Sequence, residues 1–261
     1  MDKYSHTYNV ILDNMDLTDY RLRPISAIMY LQDCFARYTA TKRAAAYDFF
    51  AHNLIWVVGE FNIEFEDKLP FWSEEIKIEL WFSEITKLKI YVDYKFYYKD
   101  KVFAKGNSCW FLLNDTSKRP SKTDIVSERF EVCSELTLGE HKKFNLEEGV
   151  DPISKITHKN NLSDIDFNSH VNNKSYLKIA EAAIKTEFKK SHSLKSLYIR
   201  FNRESFLDDV LECETSKTNL PNVYLHKITK GDESICDIQT TWADKIPCDE
   251  NIIEYDLAVK N

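Results

Sequence analysis

Glycine is scarce in this chain. Its 261 residues contain five, at positions 59, 106, 139, 149 and 231, and no two are closer than ten positions. Loops that cradle phosphates need glycines within a few residues of one another, so a Rossmann or P-loop nucleotide site is excluded. Cysteine is thin as well. The six thiols form no CxxC pair and have no histidine at zinc-finger spacing, so reduced cysteines are expected and a structural metal is not. No run of 18 or more apolar residues occurs, which argues against a membrane span. Positive charge is in deficit, with a net charge of -7, so broad nucleic-acid binding is not expected. The opening MDKYSHTYNV has neither a basic-then-apolar signal pattern nor a long Arg/Ser-rich leader, and a cytoplasmic location is expected.

Extended patterns dominate what is present. TYNVIL reads as a strand, and four runs between Leu54 and Leu113 are rich in β-branched and aromatic residues: LIWVVGEFNIEFED, EEIKIELWFSEI, KLKIYVDYKFYYKD and VFAKGNSCWFLL. IKIEL and LKIYVDYKF alternate apolar and polar residues, as half-buried antiparallel strands do, with turns at DKLP and YKDK. Two helices stand apart. The first is predicted from Pro24 to Phe50, the proline suiting a first turn, and its apolar first half should be buried. The second is predicted from Val171 to about Lys190, with Tyr176, Leu177, Ile179, Ala180, Ala183, Ile184 and Phe188 on one half. Lys174, Lys178, Lys185 and Lys189 form a stripe opposite.

The chain repeats itself. LTDYRLRPISAIMYL parallels LSDIDFNSHVNNKSYL, and Phe61-Asn62-x-Glu64 parallels Phe201-Asn202-x-Glu204, each at a separation of 140 to 145 residues. A repeat of that size indicates a duplicated domain. The expected architecture is α+β: residues 1–130 form one domain, 131–150 a polar linker and 151–261 a second domain, each with an antiparallel sheet wrapped around a long helix.

Between the second domain's first strand and its helix lies DIDFNSHVNN, residues 164 to 173. If the segment is extended, Asp166, Asn168 and His170 project from one side, while Phe167 and Ser169 point away. The helix that follows would add unsatisfied N–H groups and the positive end of its dipole, suited to a developing oxyanion. Asp and Asn at this place also serve as ordinary caps and loop ties, and Asn172 and Asn173 are expected in that structural role. A strand carboxylate such as Glu204, between Phe201 and Phe206, needs a partner.

These segments are also similar to a known family. LIWVVGEFNIEFEDKLPFWSEEIKIELWF followed by SCWFLLNDTSKRPSK resembles the N-terminal half of the acyl-acyl-carrier-protein thioesterases. DIDFNSHVNNKSYLKIAEAA followed by LYIRFNRESFLDDVLE resembles their C-terminal half. The resemblance runs from about Tyr8 to Trp242 and is to a cytosolic, bacterial-type member without a transit peptide. It implies a double hotdog fold, and hydrolysis of fatty acyl-acyl carrier protein to free fatty acid without a cofactor. The family's Asp-x-Asn-x-His run and later Glu fall on Asp166, Asn168, His170 and Glu204. Many members carry Cys after that Glu. Here Ser205 stands there, which disfavours a Cys nucleophile and favours water activated by a carboxylate.

Within this expectation Glu204 or Asp166 is the base, Asn168 orients the thioester or the nucleophile, and His170 bonds the carboxylate or protonates the leaving thiolate. Direct carboxylate attack through an anhydride stays open. The first repeat lacks the constellation, having Arg21, Arg23 and Ile25 where the second has Asp166, Asn168 and His170, with Glu64 opposite Glu204. The resemblance assigns it the acyl-chain tunnel, with Ile28, Met29, Leu31, Gln32, Phe35, Trp56 and Phe61 as candidate walls or plain core. The expected partner is acyl carrier protein, an acidic family for which the lysine stripe, with Lys190, Lys195, Arg200 and Arg203, is a candidate dock as well as an ordinary solvated face. An acyl-CoA thioesterase, a hotdog dehydratase and a non-catalytic acyl-binding module are the alternatives, and pairing into a homodimer is left open.

Overall fold

The structure, a computed structural model, describes residues 2–16, 20–66, 69–141, 144–166 and 168–245. The first half runs β1 (Tyr4–Asn9), α1 (Ala27–Thr41), α2 (Ala46–Phe50), β2 (Leu54–Phe65), β3 (Glu75–Ile85), β4 (Ile90–Tyr98) and β5 (Lys101–Asn114). A short β6 (Pro120–Ser121) and α3 (Asp124–Ser127) follow. The second half repeats the order with β7 (Asp151–Lys159), α4 (Asn173–Ala182), α5 (Thr186–Ser191), β8 (His192–Phe201), β9 (Val210–Lys217), β10 (Val223–Lys230) and β11 (Glu233–Asp244). The four runs between Leu54 and Leu113 are the strands β2 to β5, whereas only the first half of TYNVIL is a strand, β1 ending at Asn9 and Leu12 opening a short 3-10 turn; the α+β class holds. The YKDK turn joins β4 to β5 through Lys99 and Asp100, both at positive φ (48° and 60°), as a two-residue hairpin of the right twist requires.

Both helices are shorter than their apolar patterns suggested. The first ends at Thr41, where Thr39 and Thr41 hydroxyls bond back to the carbonyls of Phe35 and Tyr38. Arg43 then takes a φ of 53°, and the Asp48 carboxylate receives the Ala45 N–H (2.9 Å) to start α2 afresh. The second breaks after Ala182 and resumes as α5. Apolar periodicity continued through both breaks because each following turn still packs against the sheet.

The two sheets expected from the repeat are one. Their facing edges pair antiparallel, Glu60 with Arg200, Phe61 with Ile199 and Ile63 with Leu197, giving the order β1-β3-β4-β5-β2-β8-β11-β10-β9-β7 with β6 beside β5. Pairing removes two exposed edges that would otherwise offer free N–H and C=O groups. The described residues of the expected linker, 131–141 and 144–150, lie across the seam on the outer face of this sheet. The Thr137 hydroxyl donates to the buried Asp93 carboxylate (2.7 Å), whose other oxygen lies 3.3 Å from His141 Nε2, and Arg200 donates to the Phe144 carbonyl (2.8 Å). Among the described residues no helix is long and apolar enough to cross a membrane.

Candidate active site

Residues 164–172 are a closed turn and not the extended segment expected. The Asp166 N–H donates to the His170 carbonyl (2.8 Å), and the Ser169 N–H to the Asp166 carbonyl (3.1 Å), with Ser169 at a φ of 65°. The Asp166 side chain turns inward on this loop: its Oδ1 accepts from the Asn168 N–H (2.8 Å) and the His170 N–H (3.4 Å). Asp166 therefore shapes the turn that carries Asn168 and His170. Phe167 lies outside the described residues. Asp164 ties down the turn's base. Burial works to raise its carboxyl, but the Asn161 N–H and the His158 imidazole, 2.9 Å away, hold it below the usual range.

Glu204 comes from elsewhere in the chain, in the loop just past β8 and not in the strand itself. Its Oε1 lies 3.5 Å from His170 Nδ1, and both side chains are partly exposed, 37% and 24%. The His170 ring leans edge-on against Phe206 (5.2 Å between centroids). Asn168, Ser169, His170 and Glu204 form one side of a cleft of about 320 Å³, within the usual range for ligand pockets. The other side belongs to the first half: Ala46 and Phe50 of α2, Ile55, Trp56 and Val57 of β2, and Asp115 and Lys118 beyond β5. Of the candidate tunnel residues only Trp56 lines this cleft; Ile28, Leu31, Phe35 and Phe61 are packed in the core.

The helix N-terminus is not the open set of donors expected. Asn172 is its N-cap, accepting the Lys174 N–H (3.0 Å), while the Val171 and Asn172 N–H groups donate to the Ser205 and Asp164 carbonyls. Capping by Asn172 agrees with its expected structural role. Asn168 is left as the exposed amide on the cleft. Ser205 is buried: its Oγ is 2.9 Å from Tyr176 Oη and accepts from Asn160 Nδ2 (3.3 Å). Burial pushes the Tyr176 phenol up to about 12, so it stays protonated at neutral pH. Sequence reading passed over Asn160 and placed Tyr176 only on the apolar face. The hydroxyl on that otherwise apolar helix face was the available signal. Among the described residues no three His, Cys, Asp or Glu side chains converge as metal ligands.

The first half closes a corresponding turn, one residue longer, around residues 17–19, which lie outside the described residues. The bridge Met15–Leu22 answers Ile165–Val171, and Asp16 N–H to Arg21 carbonyl (2.8 Å) answers Asp166 to His170. Leu22 N–H to Pro70 carbonyl answers Val171 to Ser205, and Tyr20 (φ 56°) answers Ser169. The repeat is thus in a register different from the LTDY/LSDI match. Asp16 and Arg21 stand for Asp166 and His170, and Leu69, not Glu64, stands for Glu204. Glu64 is an exposed residue of β2, 3.9 Å from Lys105. Arg21 lies over the Phe71 ring (3.9 Å), as His170 leans on Phe206. A narrower cavity of about 60 Å³ surrounds this turn, walled by Leu177, Ile184, Leu194 and Trp242 of the second half and by the buried His226. With Arg21 and Leu69 where the second turn has His170 and Glu204, it lacks that pair, although Glu181, His192 and His226 of the second half line the cavity.

Two halves of one family match the chain in order. The acyl-ACP thioesterase N-terminal domain matches residues 1–129 and the acyl-ACP thioesterase C-terminal domain residues 150–244. An oleoyl-acyl carrier protein thioesterase of Coriandrum sativum is 28% identical over 176 residues, 63% of this chain and 47% of the relative. A palmitoyl-acyl carrier protein thioesterase of Arabidopsis thaliana is 25% identical over 219 residues, 77% of this chain and 53% of the relative. The chain thus spans about half the length of these curated, chloroplastic relatives. In fold it is similar to an acyl-ACP thioesterase from Bacteroides thetaiotaomicron (TM-score 0.81, 19% identity, 92% of this chain and 98% of that one). A 12:0-ACP thioesterase from Umbellularia californica is comparable (TM-score 0.82, 17% identity, 93% and 98%). With both domain models matched over most of its length, the chain belongs to the acyl-ACP thioesterase family.

Proposed function

We propose that this protein hydrolyses the thioester of fatty acyl-acyl carrier protein, releasing free fatty acid and the carrier's thiol. The observation that carries the reading is the approach of Glu204 to His170, 3.5 Å apart, at a cleft whose opposite wall comes from the other half of the chain. Glu204 removes a proton from water as the oxygen attacks the thioester carbonyl. The Asn168 amide, exposed on the cleft, donates to the oxyanion that forms. Collapse breaks the C–S bond, and the proton held by the Glu204–His170 pair passes to the thiolate. Asp166 holds the turn. Its Oδ1 is bonded by two amides and it is not among the cleft-lining side chains, so Glu204 is the better-placed base.

In this reading residues 1–130 supply the acyl-chain wall, 131–150 the connection and 151–261 the catalytic side. The carrier protein is the partner. In the lysine stripe, Lys178 and Lys185 are exposed, whereas Arg203 is paired with Glu233 (2.9 Å) and Arg200 bonds the Phe144 carbonyl. The five free, buried cysteines among the described residues suit a reducing compartment, and we assign the cytoplasm.

The test is thiol release from short- to long-chain acyl-acyl carrier proteins, with the matching acyl-CoAs alongside. Faster release from the carrier protein supports the reading. Faster release from CoA keeps the site and changes the substrate. No release from either refutes it.

A further inference from the structure

Asn160, Tyr176 and Ser205 are buried polar side chains, 1%, 2% and 0% exposed, directly behind Glu204. Ser205 Oγ meets Tyr176 Oη at 2.9 Å and accepts from Asn160 Nδ2 at 3.3 Å. The same Nδ2 donates to the Phe206 carbonyl (2.8 Å), and the Ser205 carbonyl receives the Val171 N–H (2.9 Å). The three side chains therefore join the end of β7, the first turn of α4 and the peptides on either side of Ser205. Burying such groups is costly unless they are bonded, and Asn160 Oδ1 has no hydrogen-bond partner among the described residues, so the cluster is not an economical way to stabilise a fold.

The first half supplies a control. At the positions answering to Asn160, Tyr176 and Ser205 it carries Val10, Ala27 and Pro70, and the backbone closes in the same way. Val10 N–H reaches the Glu74 carbonyl at 2.9 Å, as Asn160 N–H reaches that of Asp209. Ser73 N–H donates to the Val10 carbonyl (2.9 Å) as Asp208 N–H does to that of Asn160 (3.2 Å). Ser26 N–H bonds the Arg23 carbonyl (2.9 Å) as Ser175 N–H bonds that of Asn172 (2.8 Å), which places Ala27 opposite Tyr176. The turn–helix junction thus forms without any of the three polar groups. They occur in the half that also carries His170 and Glu204.

We propose that Asn160, Tyr176 and Ser205 are positioning residues for Glu204. They fix the peptide that follows it and the Phe206 backbone beneath the His170 ring, and so hold the carboxylate against the imidazole. What the pair does rests on the thioesterase reading; its geometry does not.

The test uses the full chain with Tyr176→Phe, Ser205→Ala and Asn160→Val, singly, and Ser205→Cys as the conservative variant. Two readouts are taken on each: kcat and KM with acyl-acyl carrier protein, and the His170 ring resonances by NMR, referenced to Glu204→Gln. The expected result is a kcat about 10- to 100-fold lower, a KM within about twofold and unchanged secondary structure, because a small misplacement of a reacting group costs this much. The His170 resonances should move toward those of Glu204→Gln, and Ser205→Cys should recover most of kcat. Unchanged kcat and unchanged His170 resonances in folded Tyr176→Phe and Ser205→Ala overturn the proposal. So does a rise in KM alone. If the wild type releases no thiol, the thioesterase reading fails, and the resonances still decide whether the cluster positions Glu204. Should a single variant fail to fold, the triple variant Asn160→Val, Tyr176→Ala, Ser205→Pro, which takes the first half's residues, gives the same two readouts on a combination that already closes this junction.

Discussion

Replacing Trp56 by leucine separates the cleft's role in binding from its role in holding the first half together. The indole lies stacked on Phe49 (5.5 Å, 25°), edge-on to Phe35 (5.2 Å, 88°), and its Nε1–H donates to the Ala44 carbonyl at 2.8 Å. That bond fixes the ring plane across the break between α1 and α2, so the wall of the cleft is a rigid one. Leucine keeps part of the apolar contact but loses the hydrogen bond, worth about 1 kcal/mol. It also loses three aromatic pairs, the third with Trp110 (6.3 Å, 88°), worth roughly 0.5–1.5 kcal/mol each. A destabilisation of about 2.5–5.5 kcal/mol follows, or a fall in Tm of roughly 5–22 °C for a chain of this size. The space vacated admits longer chains. Each further methylene buried gains about 0.8 kcal/mol, close to fourfold in kcat/KM, so two should shift preference toward longer acyl groups by about 15-fold. Competition among acyl-acyl carrier proteins of graded length, well below the lowered Tm, reads this ratio. A variant that shows the fall in Tm but the wild-type chain-length profile refutes the idea that the chain runs along Trp56.

The acid–base pair and the loop residue should respond differently. Glu204→Gln is expected to lower kcat by about 10²–10⁴ with little change in Tm, because Glu204 is exposed and its charge serves the reaction. Asp166→Asn keeps an oxygen for the Asn168 and His170 amides and should stay within about tenfold of wild type, whereas Asp166→Ala should lose about 1–2 kcal/mol of loop stability and more activity. A kcat loss in Asp166→Asn as deep as in Glu204→Gln would make Asp166 the base. His226 gives a pH signature. Burial between Thr215 and Thr240 lowers its pKa to about 3, so below about pH 6.5 the unfolded chain binds a proton that the folded one refuses. Stability should therefore decline from about pH 6.5 toward pH 3, by up to about 1.4 kcal/mol per pH unit from this residue. His226→Gln should flatten that part of the curve in urea titrations at pH 7 to 4.5, and parallel curves for the two proteins would refute the assignment.

Strands and the duplicated order were legible because alternation and length are local signals, and the β4–β5 turn was legible for the same reason. The join of the two sheets was not, since nothing in the sequences of β2 and β8 distinguishes an edge strand from one paired on both sides. The site was legible as four residue types but not as geometry. Asp166, Asn168 and His170 alternate in sequence, yet an inward-bonded aspartate and a left-handed Ser169 close the segment into a turn. Glu204 reaches His170 only because β8 ends three residues earlier. The repeat register failed for a related reason. The shared turn is defined by backbone hydrogen bonds, which Val10, Ala27 and Pro70 satisfy as well as Asn160, Tyr176 and Ser205, so matching side-chain letters selected the wrong alignment.

In the proposed reading, the same correspondence explains why the described residues hold one cleft with the Glu204–His170 pair. Each turn faces the opposite half: His170 and Glu204 look onto α2 and β2, while Arg21 and Leu69 look onto the helix and strands of the second half. A pair of identical domains would present two equivalent clefts, and any substitution that shaped a wall in one would alter the reacting side of the other. Fusion uncouples them. The first half keeps the turn but replaces the imidazole by an arginine held on Phe71 and the carboxylate by Leu69, and its α2 and β2 are then constrained only as a wall. The second half keeps the polar cluster behind Glu204 and, in the proposed reading, is constrained as the reacting side. The seam between β2 and β8 fixes the two relative to each other through Glu60–Arg200 and the Phe61–Phe201 ring contact, so the cleft is set by the joint as much as by either half.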